Sequence, residues 1–465
     1  MSEWSKVQEK ISEDDLIAQV EMRGITPARI GGYNAQPYSP ELGLLENPRT
    51  QAVKGLWRWW ARTLLAGAKM SAGESLPESL SDLDEEISKL FGSTKSSSKF
   101  ILQLAVNNRE TNEMSKMSNL VKKVPRIRLL SMGRTRGGER YYFPQITVTL
   151  RANRTRKLSK EEVMFGLSSL LVSLVFSGIG SVVNRGFGKV KITDVQLGPR
   201  LKNEKDAKEL KETLFELYKK TGGETIVKLK KFLQKSLESA SAYKGYGTGI
   251  KGVHVRNIPP YSVLLPDCNP PIFRIEAFHA QRGKNVISIL ECIGKSTMKT
   301  EWKRIKGINP KRVGKDFHTW VLGLPRFQEP PYEENGRKVN KLTGYLFNGS
   351  REKRRQSPIG FTVLELDGND YWIVVYGFLT SEYGQQLSKM EHVGIHVVGG
   401  HIKGVIGRVD SIERTYVQTD ITSKGIQTPF NVIRVMHSED AVSIYQKCFD
   451  AAYQFVKKIV GSCLR

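Results

Sequence analysis

Nineteen consecutive residues, Phe165 to Val183 (FGLSSLLVSLVFSGIGSVV), carry no charged side chain. Such a stretch gains by leaving water, so it belongs either in a bilayer or inside a packed core. Five serines dilute it and Gly178 and Gly180 interrupt it, so a helix ends near Ser177, short of the roughly 20 residues that span a bilayer. The segment is therefore expected to be a buried helix packed on a sheet and opened by Lys160, Glu161 and Glu162. The first residues, MSEWSKVQEKISEDDL, lack the apolar stretch of a signal peptide, so neither export nor membrane insertion is expected.

The flanking sequence supplies the sheet. DLIAQVEMRG reads as a strand, followed by a proline- and glycine-rich loop from Thr26 to Pro48 and an amphipathic helix, KGLWRWWARTLLAGA. A Ser/Gly-rich stretch from Gly92 to Ser98 precedes the strand FILQLAV. QITVTLRA alternates with Ile146, Val148 and Leu150 on one face, and GKVKITDVQL alternates after the uncharged helix. The order β, α, β, β, α, β is the split βαβ pattern of a ferredoxin-like or RNA-recognition fold over residues 14–200. Residues 201–252 read as a helical insertion and linker, with two charged amphipathic helices that decorate or bridge domains and the glycine-rich YKGYGTGIKG. Residues 253–465 supply FRIEAFHA, NVISILECI, GFTVLEL, YWIVVYGFL and a final helix from Glu439 to about Val460 capped by Ser438. This is a second α/β domain whose strand order cannot be read.

The charge balance selects the partner. Lys and Arg number 72 against 47 Asp and Glu, a formal charge of +25 that suits a polyanion better than a small metabolite. A membrane surface fits less well, because the cations are spread through the chain rather than gathered in one tail. Cys268, Cys292, Cys448 and Cys463 are far apart and form no CxxC pair, so neither a disulfide framework nor a cysteine zinc site is expected, and a reducing cytoplasm is the natural home. His392, His396 and His401 lie in EHVGIHVVGGH, which is not HExxH and reads as strand and turn; no metal or other cofactor is expected. His254, His279 and His318 are isolated, Asp14 and Asp15 are expected to be solvated, and no Ser/His/Asp or paired-carboxylate arrangement stands out as catalytic.

Three kinds of basic motif remain. On the tryptophan helix, Lys54, Arg58 and Arg62 recur every fourth residue opposite Trp57 and Trp60, with Trp59 beside the stripe. Cations in register can hold successive phosphates, and a flanking indole can stack on a base, while Trp57 and Trp60 seat the helix on the sheet. In SGIGSVVNRGFGKVKI, Gly178, Gly180, Gly186 and Gly188 surround Arg185, Phe187 and Lys189, so backbone amides and two cations could meet phosphate oxygens. The loop matches neither a Walker A nor a dinucleotide fingerprint. Charge runs supply Arg134 and Arg136 in a glycine-containing arm, Arg154 and Arg156 in RANRTRK, and Arg351, Lys353, Arg354 and Arg355 in GSREKRRQSP.

These motifs carry a resemblance. SGIGSVVNRGFGKV is similar to the glycine-rich loop of the RAMP proteins of CRISPR effector complexes, between the last helix and last strand of their ferredoxin-like domain. Thr26, Pro27, Gly31 and Gly32, followed by Lys54, Gly55, Arg58, Trp59, Trp60 and Arg62, resemble the N-terminal signature of the first RAMP subunit of type III-B (Cmr) complexes. LGLPR, Leu322 to Arg326, with RRQSPIGFTV, Arg354 to Val363, is a third match. The resemblance implies an α+β protein of two ferredoxin-like domains with inserted helices. It implies a structural, RNA-binding subunit that holds the 3′ region of CRISPR RNA beside other RAMP subunits and helps capture complementary single-stranded target RNA, without being the nuclease. The RNA contacts expected are those of the basic motifs, Gly186, Phe187 and Gly188 included. The alternative is a metal-independent RAMP endoribonuclease processing CRISPR transcripts. It needs a histidine, often in the N-terminal domain, whereas the first histidine here is His254. The resemblance leaves open the roles of residues 203–240 and 327–341.

Overall fold

The structure, a computed structural model, describes residues 14–30, 38–39, 44–45, 47–77, 80–109, 124, 143–220, 223–247, 253–281, 283–297, 321–322, 357–367, 370–381 and 438–464, together with short strands between residues 326 and 435. Four strands form the first sheet: β1 (Leu16–Gly24), β2 (Phe100–Arg109), β3 (Pro144–Ala152) and β4 (Val190–Leu197). Their order is β2-β3-β1-β4 and every neighbour is antiparallel. That is the arrangement the split βαβ pattern predicts. Val20 and Met22 of β1 face inward with Ile146, Val148 and Leu150 of β3, as the alternation requires.

Three helices accompany this sheet: α1 (Thr50–Ser71), α2 (Leu80–Phe91) and α3 (Lys160–Phe176). Helix α3 is the uncharged segment. Ser159 caps it, accepting from the Glu162 amide while the Glu162 carboxylate accepts from the Ser159 amide. Every residue from Val163 to Phe176 is buried. Ser168 and Ser169, inside this apolar surround, bond the helix backbone, donating to Phe165 O at 3.2 and 2.7 Å. The helix is covered by more than one sheet. Helices α4 (Lys205–Tyr218) and α5 (Thr225–Tyr243) follow β4, and α5 packs on both α1 and α3 through Leu229, Phe232, Leu233 and Leu237. The charged amphipathic helices thus contribute to the core instead of merely decorating it.

The second half begins with β5 (Phe273–His279) and α6 (Val286–Ser296), and continues with β6 (Ile359–Leu366), β7 (Asp370–Phe378) and α7 (Ser438–Leu464). The strands pair antiparallel in the order β6-β7-β5. All eight residues of β6 are buried. Ile359, Phe361 and Val363 pack with Ile293, Phe449 and Tyr453 from α6 and α7, while Leu364 and Leu366 belong to the core of the first half. One sheet therefore separates two apolar layers, and Thr362 Oγ1 donates to Val175 O of α3 at 2.6 Å across the seam. Residues 326–328, 343–347, 395–398, 430–435 and 412–417 form a separate five-stranded sheet, in that spatial order. The segment 327–341 includes a hairpin of residues 331–334 and 337–340. The class is α+β with antiparallel sheets.

One expectation is overturned. Cys292 and Cys463 form a disulfide, although 171 residues separate them. The sequence hid the pair because α6 and α7 become neighbours only in the fold. The argument from unpaired cysteines to a reducing cytoplasm loses its premise. Cys268 remains a free thiol. No described helix is long and apolar enough to cross a membrane.

Candidate nucleic-acid interface

Helix α1 divides as its periodicity predicts, but the partners of its basic stripe differ from those expected. Trp57 and Trp60 are fully buried; their rings seat on the sheets, Trp57 5.5 Å from Phe100 of β2 and Trp60 6.0 Å from Phe378 of β7, while their ring nitrogens bond α3 and its C-cap. Trp57 Nε1 donates to Ser169 Oγ at 2.8 Å, and Trp60 Nε1 to Ser177 Oγ at 2.7 Å. Trp59 packs edge-on against Trp60 and Phe378, with ring centroids 4.9 and 5.4 Å away. The basic stripe faces α2. Arg58 donates to Ser88 Oγ at 3.0 Å and to Gly92 O, and Arg62 pairs with Asp84 at 2.9 Å. Lys54, one turn earlier, is half-buried, and burial together with Arg58 pushes its pKa down. Arg58 and Arg62, expected to meet RNA, make helix–helix contacts here, because acceptors on the next helix lie within reach.

The glycine-rich loop is corrected more sharply. Lys189 is fully buried, and its ammonium donates to Phe176 O at 2.5 Å and Ser177 O at 3.0 Å. It satisfies carbonyls that a helix end leaves without amide partners. Burial holds its pKa well below the usual lysine value. Arg185 is 5% exposed; its guanidinium donates to Leu322 O and, at 3.3 Å, to Ile359 O. Phe187 is buried with Val124 and Leu290. Gly188, at φ +62°, lies so close to Ile179 that a Cβ there would stand 1.8 Å from its carbonyl oxygen. Gly186 and Gly188 are buried as well. The loop from Arg185 to Lys189 therefore faces protein on every side and offers no phosphate cradle.

The three sequence signatures meet here. Thr26 Oγ1 donates to Gly186 O at 2.6 Å and accepts from the Lys189 amide at 2.8 Å, while Arg185 reaches the carbonyls of Leu322 and Ile359 in the third signature. Ile25 N donates to Lys189 O at 2.7 Å, and Gly188 N to Pro27 O at 3.0 Å. The signatures mark a knot of buried polar bonds that locks the halves together. At its surface Val182 holds φ +63°, a strained value for a β-branched residue.

Exposed cations gather at the other end of the sheet. Arg151 is the β-partner of Leu16, whereas the glycine-rich loop enters β4 opposite Gly24, eight residues and roughly 27 Å along β1. There the loops 92–99 and 153–159 are tied by Asn153 Nδ2 donating to Ser98 O at 2.8 Å and Asn153 N to Lys99 O at 2.8 Å. Arg156 Nε donates to Ser97 Oγ at 3.2 Å, and Arg154 pairs with Asp15, so Asp15 is not merely solvated. Lys95 and Lys157 are exposed beside them. Four cations and the hydroxyls of Ser93, Thr94, Ser96 and Ser97 thus share one rim. Sequence reading singled out Arg154 and Arg156 but passed over Lys95, although GSTKSSSK carries the mixture of hydroxyls and ammonium that suits phosphate oxygens. Arg134, Arg136, Arg351, Lys353, Arg354 and Arg355 lie outside the described residues, as do His392 and His401. His396 lies on the strand of residues 395–398, as the sequence suggested. Among the described residues no cluster of His, Cys, Asp and Glu could hold a metal ion. His279 pairs with Asp370 at 2.5 Å on the exposed end of β5.

Comparison with known proteins gives the fold a context. The sequence profile of the RAMP superfamily matches residues 22–249. The CRISPR system Cmr subunit Cmr1-1 of Pyrococcus furiosus is 24% identical over 380 residues, covering 80% of this chain and 90% of its own. Two solved chains share the fold. One, from the type III-B Cmr-beta bound to cognate target RNA, has a TM-score of 0.52 at 15% identity and covers 78% of this chain and 94% of its own. The other, from the same assembly bound to cognate target RNA and AMPPnP in the presence of ssDNA, also scores 0.52, at 14% identity, and covers 94% of this chain and 100% of its own.

Proposed function

We propose that this chain, whose residues 22–249 match the RAMP superfamily profile, is an RNA-binding subunit of a type III-B CRISPR ribonucleoprotein, holding the 3′ region of CRISPR RNA and helping to capture complementary target RNA. Its neighbours are other RAMP subunits, and its role is structural rather than catalytic. In this reading each half is a ferredoxin-like unit, the first complete over residues 14–200 and the second a reduced form of the same pattern, with residues 201–252 between them.

The observation that carries the reading is the rim at the Leu16 end of the first sheet, where Lys95, Arg154, Arg156 and Lys157 stand on two linked loops of a chain with formal charge +25. Cations on short, mutually braced loops hold a backbone register without reading bases, which suits a subunit whose target is read by guide pairing. The 80% coverage of this chain by a relative named as a Cmr subunit supports the same assignment. No observation favours the endoribonuclease alternative.

The test is a salt series. Full-length protein is titrated into labelled single-stranded RNA, with Lys95→Ala/Arg156→Ala/Lys157→Ala as the variant. Removing three phosphate contacts should flatten the slope of log K against log salt by about 2, at roughly 0.7 per contact on a single strand. An unchanged slope in a folded variant removes the rim from the interface. Discrete RNA cleavage that persists through repurification overturns the structural role.

A further inference from the structure

A cleft opens where the end of β1 meets the second half. Its volume is about 560 Å³, within the range of about 300–1,000 Å³ typical of small-ligand sites, and Arg23, Phe143, Gln145, Asn285, Glu365 and Tyr371 are among the residues lining it. The Glu365 carboxylate, whose side chain is only 4% exposed, forms the floor and accepts from Arg23 Nη2 at 2.6 Å. That bond engages one nitrogen of a guanidinium that carries five N–H donors. Phe143 and Tyr371 are half-buried, and Gln145 and Asn285 are exposed at the mouth.

The chemistry is specific in kind. Two aromatic rings supply surface on which a flat heterocycle can stack. The floor offers cationic donors and a carboxylate acceptor, the Gln145 carboxamide offers both donor and acceptor, and Asn285, whose Oδ1 caps α6 by accepting from Ser288 N at 3.0 Å, offers its Nδ2. A nucleobase presents the complement, with two π faces and an edge of mixed donors and acceptors. The cleft has room for one base with its sugar but not for a duplex. It is distinct from the basic rim, because Arg23 and Gln145 pair across the strands near the Gly24 end of β1.

We propose that this cleft receives one unpaired nucleobase of an RNA strand bound to the protein. The inference rests on the RNA-binding reading above and adds to it a site that grips a base instead of phosphates. Tyr371 supplies stacking surface, Gln145 pairs with the base edge, and the Arg23–Glu365 pair sets the polarity of the floor.

The experiment compares a base-bearing RNA with a ribose-abasic strand of the same length, on full-length protein, Tyr371→Ala and Tyr371→Phe. Loss of the ring should weaken binding of the base-bearing RNA about tenfold. It should leave the abasic strand unaffected, and Tyr371→Phe should retain the wild-type affinity. Thermal midpoints check that the variants are folded. If Tyr371→Ala binds the base-bearing RNA as tightly as wild type does, the cleft is not a base site although RNA binding stands. If wild-type protein binds neither strand, the RNA-binding reading itself fails and the cleft falls with it.

Discussion

At the scale of single residues, Lys189 shows how a sequence motif can mislead. A lysine between glycines suggests phosphate, yet its side chain lies inside the protein and ends on two carbonyls of the α3 terminus. Lys189→Ala would leave both carbonyls without their donor and a hole behind the aliphatic stem, costing about 2–4 kcal/mol. RNA affinity per folded molecule should be unchanged, so urea denaturation and RNA titration of the same variant separate the two roles. The pH dependence has a definite sign. Burial depresses the folded pKa of this lysine, so between that value and the unfolded value, about 10.4, the unfolded chain binds more protons. Its contribution to stability therefore increases as pH rises through that interval. The urea midpoint of the wild type should pull further ahead of Lys189→Ala at alkaline pH, and a constant gap would mean the ammonium is not desolvated.

At the scale of elements, helix α1 was half legible. Its 3.6-residue period assigned Trp57 and Trp60 to the core, because amphipathic spacing is a local property. The identity of the opposing surface is not local: Asp84 and Ser88, on α2, lie 22 and 30 residues beyond Arg62 and Arg58. The acidic run in LSDLDEEISKLF was available, but nothing in a linear pattern says that the two helices lie together. Helix α3 teaches the same lesson from the apolar side. Uniform burial was readable from uniform hydrophobicity, whereas the number of elements covering it was not. The α1–α2 assignment is testable through Arg58→Ala/Arg62→Ala, which should lower the thermal midpoint and leave the salt slope of RNA binding as it was. A double-mutant cycle on Arg62 and Asp84 should return a coupling of no more than about 1 kcal/mol. The Asp84 side chain is 40% exposed and the pair is screened by solvent. A slope that falls with these arginines would return the stripe to the RNA surface.

At the scale of the whole molecule, the first sheet was legible because its strands alternate and follow one another in a familiar order. The second was not, since β7 bonds a strand whose partner residues lie about 90 positions away, Trp372 opposite His279. Three segments that looked like binding signatures turned out to bond one another across the seam, so what they fix is the relation between the halves. Cys292 and Cys463 join α6 to α7 within the second half, and α6 touches the first half through Ile293, which packs against Gly186 of the glycine-rich loop. Closing 171 residues into a loop removes unfolded-state entropy worth about 5 kcal/mol in the chain-entropy treatment. Reduction, or Cys292→Ser, should therefore lower the thermal midpoint by several degrees. The loss should be local, because α3 keeps its cover from α1 and α5 while α6 and α7 lose their covalent link. Hydrogen exchange should accelerate first over residues 286–296 and 449–464 and leave 163–176 protected. Identical midpoints with and without reductant would show that packing alone holds α7 in place.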